Sequence, residues 1–268
     1  MTASVAVMNN LSRTLFLVAL SLVLLTGPAH AQQSTEELAK AVQNPIASLI
    51  SVPIQSNNDF DWGPQGEWLS VSNFQPVVPF SLNDDWDVVT RTIVPIVSQP
   101  GITSGQGRET GLGDTLFTAF FVPKSSGSWI WGVGPAIQLP TATDSRLGTE
   151  EWAAGPSVVA LTMPGNWVVG GLMSNVWGDD INFFTFQPFI NYNLDGGWYL
   201  VSAPIMTRDN EAASGQRWTV PIGGGVGRVF RIGSQPTNFN AQLFYNVEKP
   251  DIAGDWGLRL QLQFMFPR

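Results

Sequence analysis

Leu258-Arg259-Leu260-Gln261-Leu262-Gln263-Phe264-Met265-Phe266 decides how this chain is read. Successive side chains of a strand point to opposite faces. One face of this stretch holds Leu258, Leu260, Leu262, Phe264 and Phe266; the other holds Arg259, Gln261, Gln263 and Met265. A face of large apolar groups backed by a face of amides suits a strand with lipid on one side and a wet lumen on the other. It suits an amphipathic strand of a soluble sandwich equally well, so the rest of the chain has to choose.

The N-terminal residues read as a secretory signal. Arg13 supplies the positive start, residues 15–25 an apolar run broken only by Ser21, and Ala29-His30-Ala31 a small-x-small cleavage site. The run is shorter than the ~20 residues a membrane-spanning helix needs. The mature chain is expected to begin at Gln32, and Met8 would serve as well as Met1 for the start. Cleavage would remove His30, the only histidine, and the chain has no cysteine. The mature protein would then lack an imidazole base, a thiol nucleophile and any His/Cys zinc site, which excludes the histidine-dependent hydrolases. No cofactor, metal site or catalytic residue is expected.

The formal charge is −8, and loss of Arg13 makes it more negative, which disfavours nucleic acid as a partner. Charged residues make up only 13 % of the chain, against ~25 % in ordinary globular domains. Tryptophan, by contrast, occurs 11 times.

Residues 32–47 are the one helical segment. Ser34 and Glu37 have capping-box spacing, Leu38, Ala41 and Val42 give a weak apolar face, and Asn44-Pro45 stops it. It reads as a short periplasmic arm, with a plug entering the lumen as the alternative. From residue 48 on, stretches of strand length recur: 48–56, 68–80, 86–97, 111–122, 128–139, 152–162, 167–177, 182–193, 198–207, 218–229, 239–247 and 254–266. The expected fold is therefore all-β, an antiparallel transmembrane barrel of about twelve strands. An even number is the rule for bacterial single-chain barrels.

The connections alternate between two kinds. Short ones run into tryptophan: Asn83-Asp84-Asp85-Trp86, Ser126-Gly127-Ser128-Trp129, Pro164-Gly165-Asn166-Trp167 and Asp195-Gly196-Gly197-Trp198. The others, at 57–67, 99–110, 140–151, 208–215 and 248–255, are mostly longer and more acidic. Beside them stand Trp68, Trp152, Trp177, Trp218 and Trp256. Tryptophan at both strand ends marks two membrane–water interfaces, and a soluble barrel has no reason for it.

Phe74-Gln75-Pro76, Leu82, Trp86 and Val89 recur 112 residues later as Phe186-Gln187-Pro188, Leu194, Trp198 and Val201. This maps strand 2 onto strand 8 and strand 3 onto strand 9, as a doubled half-barrel would. Pro76, Pro95, Pro135, Pro156, Pro188, Pro204 and Pro221 fall inside strands. Proline donates nothing to a ladder, so bulges are expected at several of these positions.

Alternation places Asn238, Asn240, Gln242 and Asn246 of the eleventh strand inside, with Phe244. Thr185, Gln187 and Asn191 of the eighth and Arg259, Gln261 and Gln263 of the twelfth join them. Arg91, Arg217 and Asp114 are assigned inward on weaker alternation. The lumen is thus expected to be amide-rich with a few arginines. It would offer a polar path with a modest preference for anions, unless the arginines pair with acids and hold the barrel shut. Gly223-Gly224-Gly225-Val226-Gly227 lacks the Lys-Ser/Thr end of a phosphate loop. The doublets Asp84-Asp85, Glu150-Glu151 and Asp179-Asp180 lie in turns and loops, where solvation explains them.

Several motifs carry a family resemblance. They are Gln43-Asn44-Pro45-Ile46-Ala47-Ser48-Leu49-Ile50-Ser51-Val52-Pro53, Thr90-Arg91-Thr92-Ile93-Val94-Pro95 and Leu139-Pro140-Thr141-Ala142-Thr143. Gln187-Pro188-Phe189-Ile190-Asn191-Tyr192-Asn193 and Pro221-Ile222-Gly223-Gly224-Gly225-Val226-Gly227 belong with them. The chain resembles Gram-negative secreted barrels often labelled "neuromedin U" and, more distantly, transporters named for the MetA pathway of phenol degradation. The hormone label matches only the end Phe264-Met265-Phe266-Pro267-Arg268, which here completes a strand. The resemblance implies an outer-membrane location and transport of small molecules, with aromatic compounds as the suggested cargo, and it supplies no catalytic residues. The implied partners are outer-membrane lipid and lipopolysaccharide, the barrel-assembly machinery and the cargo, with the barrel itself a monomer. A closed structural or surface-interaction barrel is the alternative.

Overall fold

The computed structural model describes residues 35–103 and 105–267. The expected signal segment and Ser34 lie outside the described residues. Fifteen strand segments form one sheet and make twelve antiparallel staves. β1 is Ile50–Trp62, β2 is Glu67–Phe74 continued by Val77–Ser81, and β3 is Trp86–Gln99. β4 is Glu109–Leu112 continued by Thr115–Pro123, β5 is Trp129–Leu139 and β6 is Ala153–Thr162. β7 is Trp167–Trp177, β8 is Asn182–Asn193, and β9 is Trp198–Ser202 continued by Met206–Asp209. β10 is Trp218–Ile232, β11 is Gln235–Glu248 and β12 is Trp256–Phe266.

Each stave pairs with its neighbour in sequence, and β12 closes on β1 in unbroken register from Ile50 opposite Phe266 to Phe60 opposite Trp256. The closed sheet has no edge and so presents no row of unpaired backbone donors. The decisive C-terminal stretch is the closing stave. Arg259 stands opposite Asn57 and Gln242, Gln261 opposite Gln55 and Asn240, and Gln263 opposite Pro53 and Asn238. Its polar face thus forms cross-strand rows of amides inside the barrel.

The outer face is apolar. Ile54, Phe80, Ile96, Leu200, Ile222 and Leu243 are all exposed side chains of the wall. A contiguous apolar belt of this kind is a membrane-contacting surface. Trp129, Trp167 and Trp198 are exposed at the turn end, and Trp68, Trp152, Trp177 and Trp256 at the loop end. Trp86 is half-buried edge-on against Trp131, with ring centroids 6.1 Å apart. Trp218 is half-buried against Phe184 at 6.3 Å, with the Arg208 guanidinium 5.5 Å above its ring.

The repeat falls on equivalent places. Phe74-Gln75-Pro76 lies in β2 and Phe186-Gln187-Pro188 in β8, while Trp86 opens β3 and Trp198 opens β9. The prolines divide. Pro76 sits in the break of β2 and Pro204 in the break of β9. The register shifts at Pro221, and Pro95 faces the break of β4, where its carbonyl accepts from Gly113 N at 3.0 Å. Pro135, Pro156 and Pro188 keep regular register. Pro135 and Pro156 stand opposite each other, so two missing donors share one site. The loop inventory changes as well. β1 runs on to Trp62, so the expected long connection at 57–67 shrinks to a turn at 63–66. The long connections are 100–108, 140–152, 210–217 and 249–255.

Candidate functional site

The site is built from the bottom of the barrel upward. α1, Thr35–Val42, carries Glu36 and Glu37 in its first turn and Lys40 in its last, which complements the helix dipole. It is no free arm. Leu38 and Ala39 are each 1 % exposed, packed in a cluster with Leu49, Tyr199, Val201, Val229 and Met265. These side chains stand near the short-turn ends of β9, β10 and β12, so the helix packs against that end of the barrel. The chain passes close to the wall at Gly197 (φ 77°), where a Cβ would collide with the Thr35 side chain and the Val229 carbonyl. After α1, Asn44 Oδ1 accepts from Ile46 N at 3.0 Å, which turns the chain toward β1.

A second cluster fills the rest of that end. Val89, Phe120, Val122, Val159, Leu161 and Val168 of β3, β4, β6 and β7 pack in one cluster, and Ile46 joins them from the N-terminal segment. The expectation of an amide-lined interior therefore fails in this layer. Inward positions of β3, β4, β6 and β7 near the turns are apolar and form a seal.

Above the seal lies a chamber of about 150 Å³. Residues 41–45 and Ala47 contribute its floor. Gln187, Asn240, Gln242, Gln261 and Gln263 line it, as do Arg91 and Arg259. Arg91 donates from Nη2 to Gln75 Oε1 at 2.7 Å. Arg259 donates from Nε to Asn57 Oδ1 at 2.8 Å and from Nη1 to the Ala203 carbonyl at 2.6 Å. Its guanidinium lies 5.0 Å from the Phe244 ring centre. Neither arginine forms an ion pair among the described residues. The break in β9 is what frees the Ala203 backbone for this role: its carbonyl takes Arg259, and its N–H donates to Gln242 Oε1 at 3.0 Å. Tyr199, Asn238 and Gln75 also line the chamber. Tyr199 donates to Asn238 Oδ1 at 2.7 Å. Gln75 stands at a strand break, and only its place in the repeat beside Gln187 singles it out in the sequence.

Asp114 and Arg217 are elsewhere. Asp114 sits in the break of β4 at the loop rim. Its Oδ1 accepts from Thr141 N and Ala142 N, and its Oδ2 from Thr149 N, Thr149 Oγ1 and Glu150 N. It organises the loop at 140–152. Arg217 precedes β10 and donates from Nε to the Ala212 carbonyl at 2.8 Å, tying its own loop. The same rim holds an ion-pair group in which Arg146 bridges Asp144 and Glu109. The Asp144 carboxyl is held below its ordinary range, first by the Arg146 backbone N–H and then by its guanidinium. Arg146 is pushed up, chiefly by its hydrogen bond to Asp144. Leu147, buried in this loop, reaches Gly111 and Gly113, so the loop packs against β4.

The architecture has solved counterparts. The chain is similar to the COG4313 outer membrane channel from Pseudomonas putida F1, with a TM-score of 0.65 and 18 % identity, over 83 % of this chain and 97 % of that one. A weaker likeness, with a TM-score of 0.45 and 10 % identity, links it to a FadL homologue from Pseudomonas aeruginosa, over 85 % of this chain and 92 % of that one. No curated protein matches it. Residues 63–262, from the turn after β1 to the middle of the closing stave, match the family described as "Putative MetA-pathway of phenol degradation", and the chain belongs to that family.

Proposed function

We propose that the protein is a passive outer-membrane channel for small organic molecules, closed at rest by its own N-terminal segment and carrying out no chemistry on its cargo. One observation carries this reading. A barrel with an apolar belt outside encloses an arginine- and amide-bearing chamber, and the floor of that chamber is a plug of 13 residues or so that no strand pairing holds. Where β9, β10 and β12 turn inward, the partner of their apolar side chains is α1. Withdrawal of α1 therefore opens a passage along those staves, while the cluster around Phe120 and Leu161 stays packed. The family's connection with phenol degradation and the apolar patches of the chamber support aromatic cargo. Residues 1–31 would act as the signal, the assembly machinery would insert the barrel as a monomer, and its acidic loops would meet lipopolysaccharide.

Conductance in planar bilayers tests the reading. The mature chain should give small or flickering steps, and a deletion of residues 35–47 larger, longer-lived ones. Silence from both proteins, with heat-modifiable folding intact, would instead assign a structural barrel. The apolar seal is the observation that favours that second reading.

A further inference from the structure

We propose that the chamber is a binding site for a small organic carboxylate with an aromatic body, its carboxylate held between Arg91 and Arg259. The inference deepens the channel reading by naming its cargo class, but the site itself does not depend on conduction.

The charge is the first argument. Two arginines line this cavity, and no aspartate or glutamate does. Arg91 projects from β3 and Arg259 from β12, and their charges act on each other. The Asp59 carboxylate attracts Arg259 from outside the lining. Two like charges sharing a low-dielectric space repel, and an anion between them removes the repulsion and gains two attractions.

The donors are the second. A guanidinium offers five N–H groups in a planar fork that fits a carboxylate. Arg91 spends one on Gln75 and Arg259 two on Asn57 and Ala203. Among the described residues the sealed side-chain nitrogen without a partner is Arg208 Nε. The remaining donors of Arg91 and Arg259 are therefore not sealed off, and the space they open on is the chamber. The protein partners they do have are neutral carbonyls, which orient the forks without cancelling their charge.

The third argument is shape. A cavity of about 150 Å³ is the size that admits one benzene ring. Val77, Leu172, Phe189 and Val201 give the lining an apolar part. An inorganic anion would leave that part unused, and a neutral aromatic would leave the guanidiniums without a counter-charge. An aromatic acid satisfies both.

Calorimetric titration of the refolded full barrel in detergent, with benzoate as probe and benzyl alcohol as its neutral counterpart, tests the site without reference to conductance. Benzoate should bind, and benzyl alcohol should bind about tenfold or more weakly, the share expected of charge-assisted hydrogen bonds. Arg91→Gln and Arg259→Gln should each weaken benzoate by a similar factor and leave benzyl alcohol unchanged. Equal affinity for the two probes, or full benzoate affinity in heat-modifiable Arg91→Gln, overturns the proposal. If Arg259→Gln fails to fold, Arg91→Gln and the two-probe comparison still decide it. A silent bilayer with charge-dependent benzoate binding removes the channel and keeps the site; a conducting barrel that ignores benzoate removes the site alone.

Discussion

Gln43 and Asn193 exchange side-chain amides: Gln43 Nε2 donates to Asn193 Oδ1 at 2.9 Å, and Asn193 Nδ2 donates back to Gln43 Oε1 at 3.2 Å. The pair joins the end of the plug to the end of β8, and Asn193 is braced by a further bond from Nδ2 to the Asn166 carbonyl at 3.0 Å. It is a latch of neutral groups, each bond of which contributes a net ~0.5–1.5 kcal/mol. A latch of that strength holds a closed state and still permits release.

Gln43→Ala should therefore raise the released fraction of the plug by about tenfold. The chain has no cysteine, so a maleimide reagent added to an Ala41→Cys background reports release directly. Labelling should be slow with Gln43 present and about tenfold faster without it. Equal rates would mean that the apolar contacts of Leu38 and Ala39 hold the plug alone.

Gly227 of β10 lies against the Tyr199 ring. A Cβ there would overlap the Tyr199 ring. Gly227→Ala should displace Tyr199, break its bond to Asn238 and cost about 1–3 kcal/mol, the usual range for an overfilled core. The temperature of heat-modifiable unfolding on gels should fall, and Tyr199→Leu in the same chain should restore most of the loss. No drop in the single variant would mean that the ring moves at no cost.

Asp114→Ala removes one carboxylate from five donors of the loop at 140–152. One of those donors, Glu150 N, belongs to a residue in the left-handed region (φ 57°), a conformation a non-glycine residue keeps only when its surroundings hold it. The loop should become open to protease on intact cells, while the barrel resists as before. Cleavage at the wild-type rate would show that the Leu147 contact is sufficient.

Acid should loosen the same loop by a second route. Asp144 is depressed in the folded loop by Arg146. A depressed carboxyl stabilises above its unfolded value, ~3.9, and loses that contribution as pH falls through the folded value. Between pH 7 and pH 5 the Arg146 amide should keep its protection from hydrogen exchange, and below pH 4 the protection should fade. Asp144→Asn should weaken it at neutral pH. Fading already at pH 6 would point to a different group.

The barrel was legible because its signals are local. Alternation in Leu258 through Phe266, the tryptophans at strand ends and the spacing of turns all follow from one strand at a time. The interior was legible only where one face is polar. In Val88-Val89, Val158-Val159 and Val168-Val169 both faces are apolar, lipid on one side and the seal on the other, so the period of two vanishes. The plug was ambiguous for a related reason. Leu38, Ala41 and Val42 give the same weak stripe whether they meet a membrane surface or the lumen, and only the tertiary fit to Tyr199 and Val229 distinguishes them. Arg217 and Arg259 look alike in sequence, yet the first precedes its strand by one residue and never enters the lumen.

The two apolar clusters of the turn end differ in what holds them: one is wall against wall, the other wall against α1. The interior is thus lopsided, with α1 on the side of β9, β10 and β12. On the proposed route a molecule would travel off-centre, along a track on β9 to β12, and would pass three cross-strand pairs, Arg259 with Gln242, Gln261 with Asn240 and Gln263 with Asn238. Flux along such a track saturates, as occupancy of a single lane does, where flux through a wide open bore would simply rise in proportion to the concentration outside.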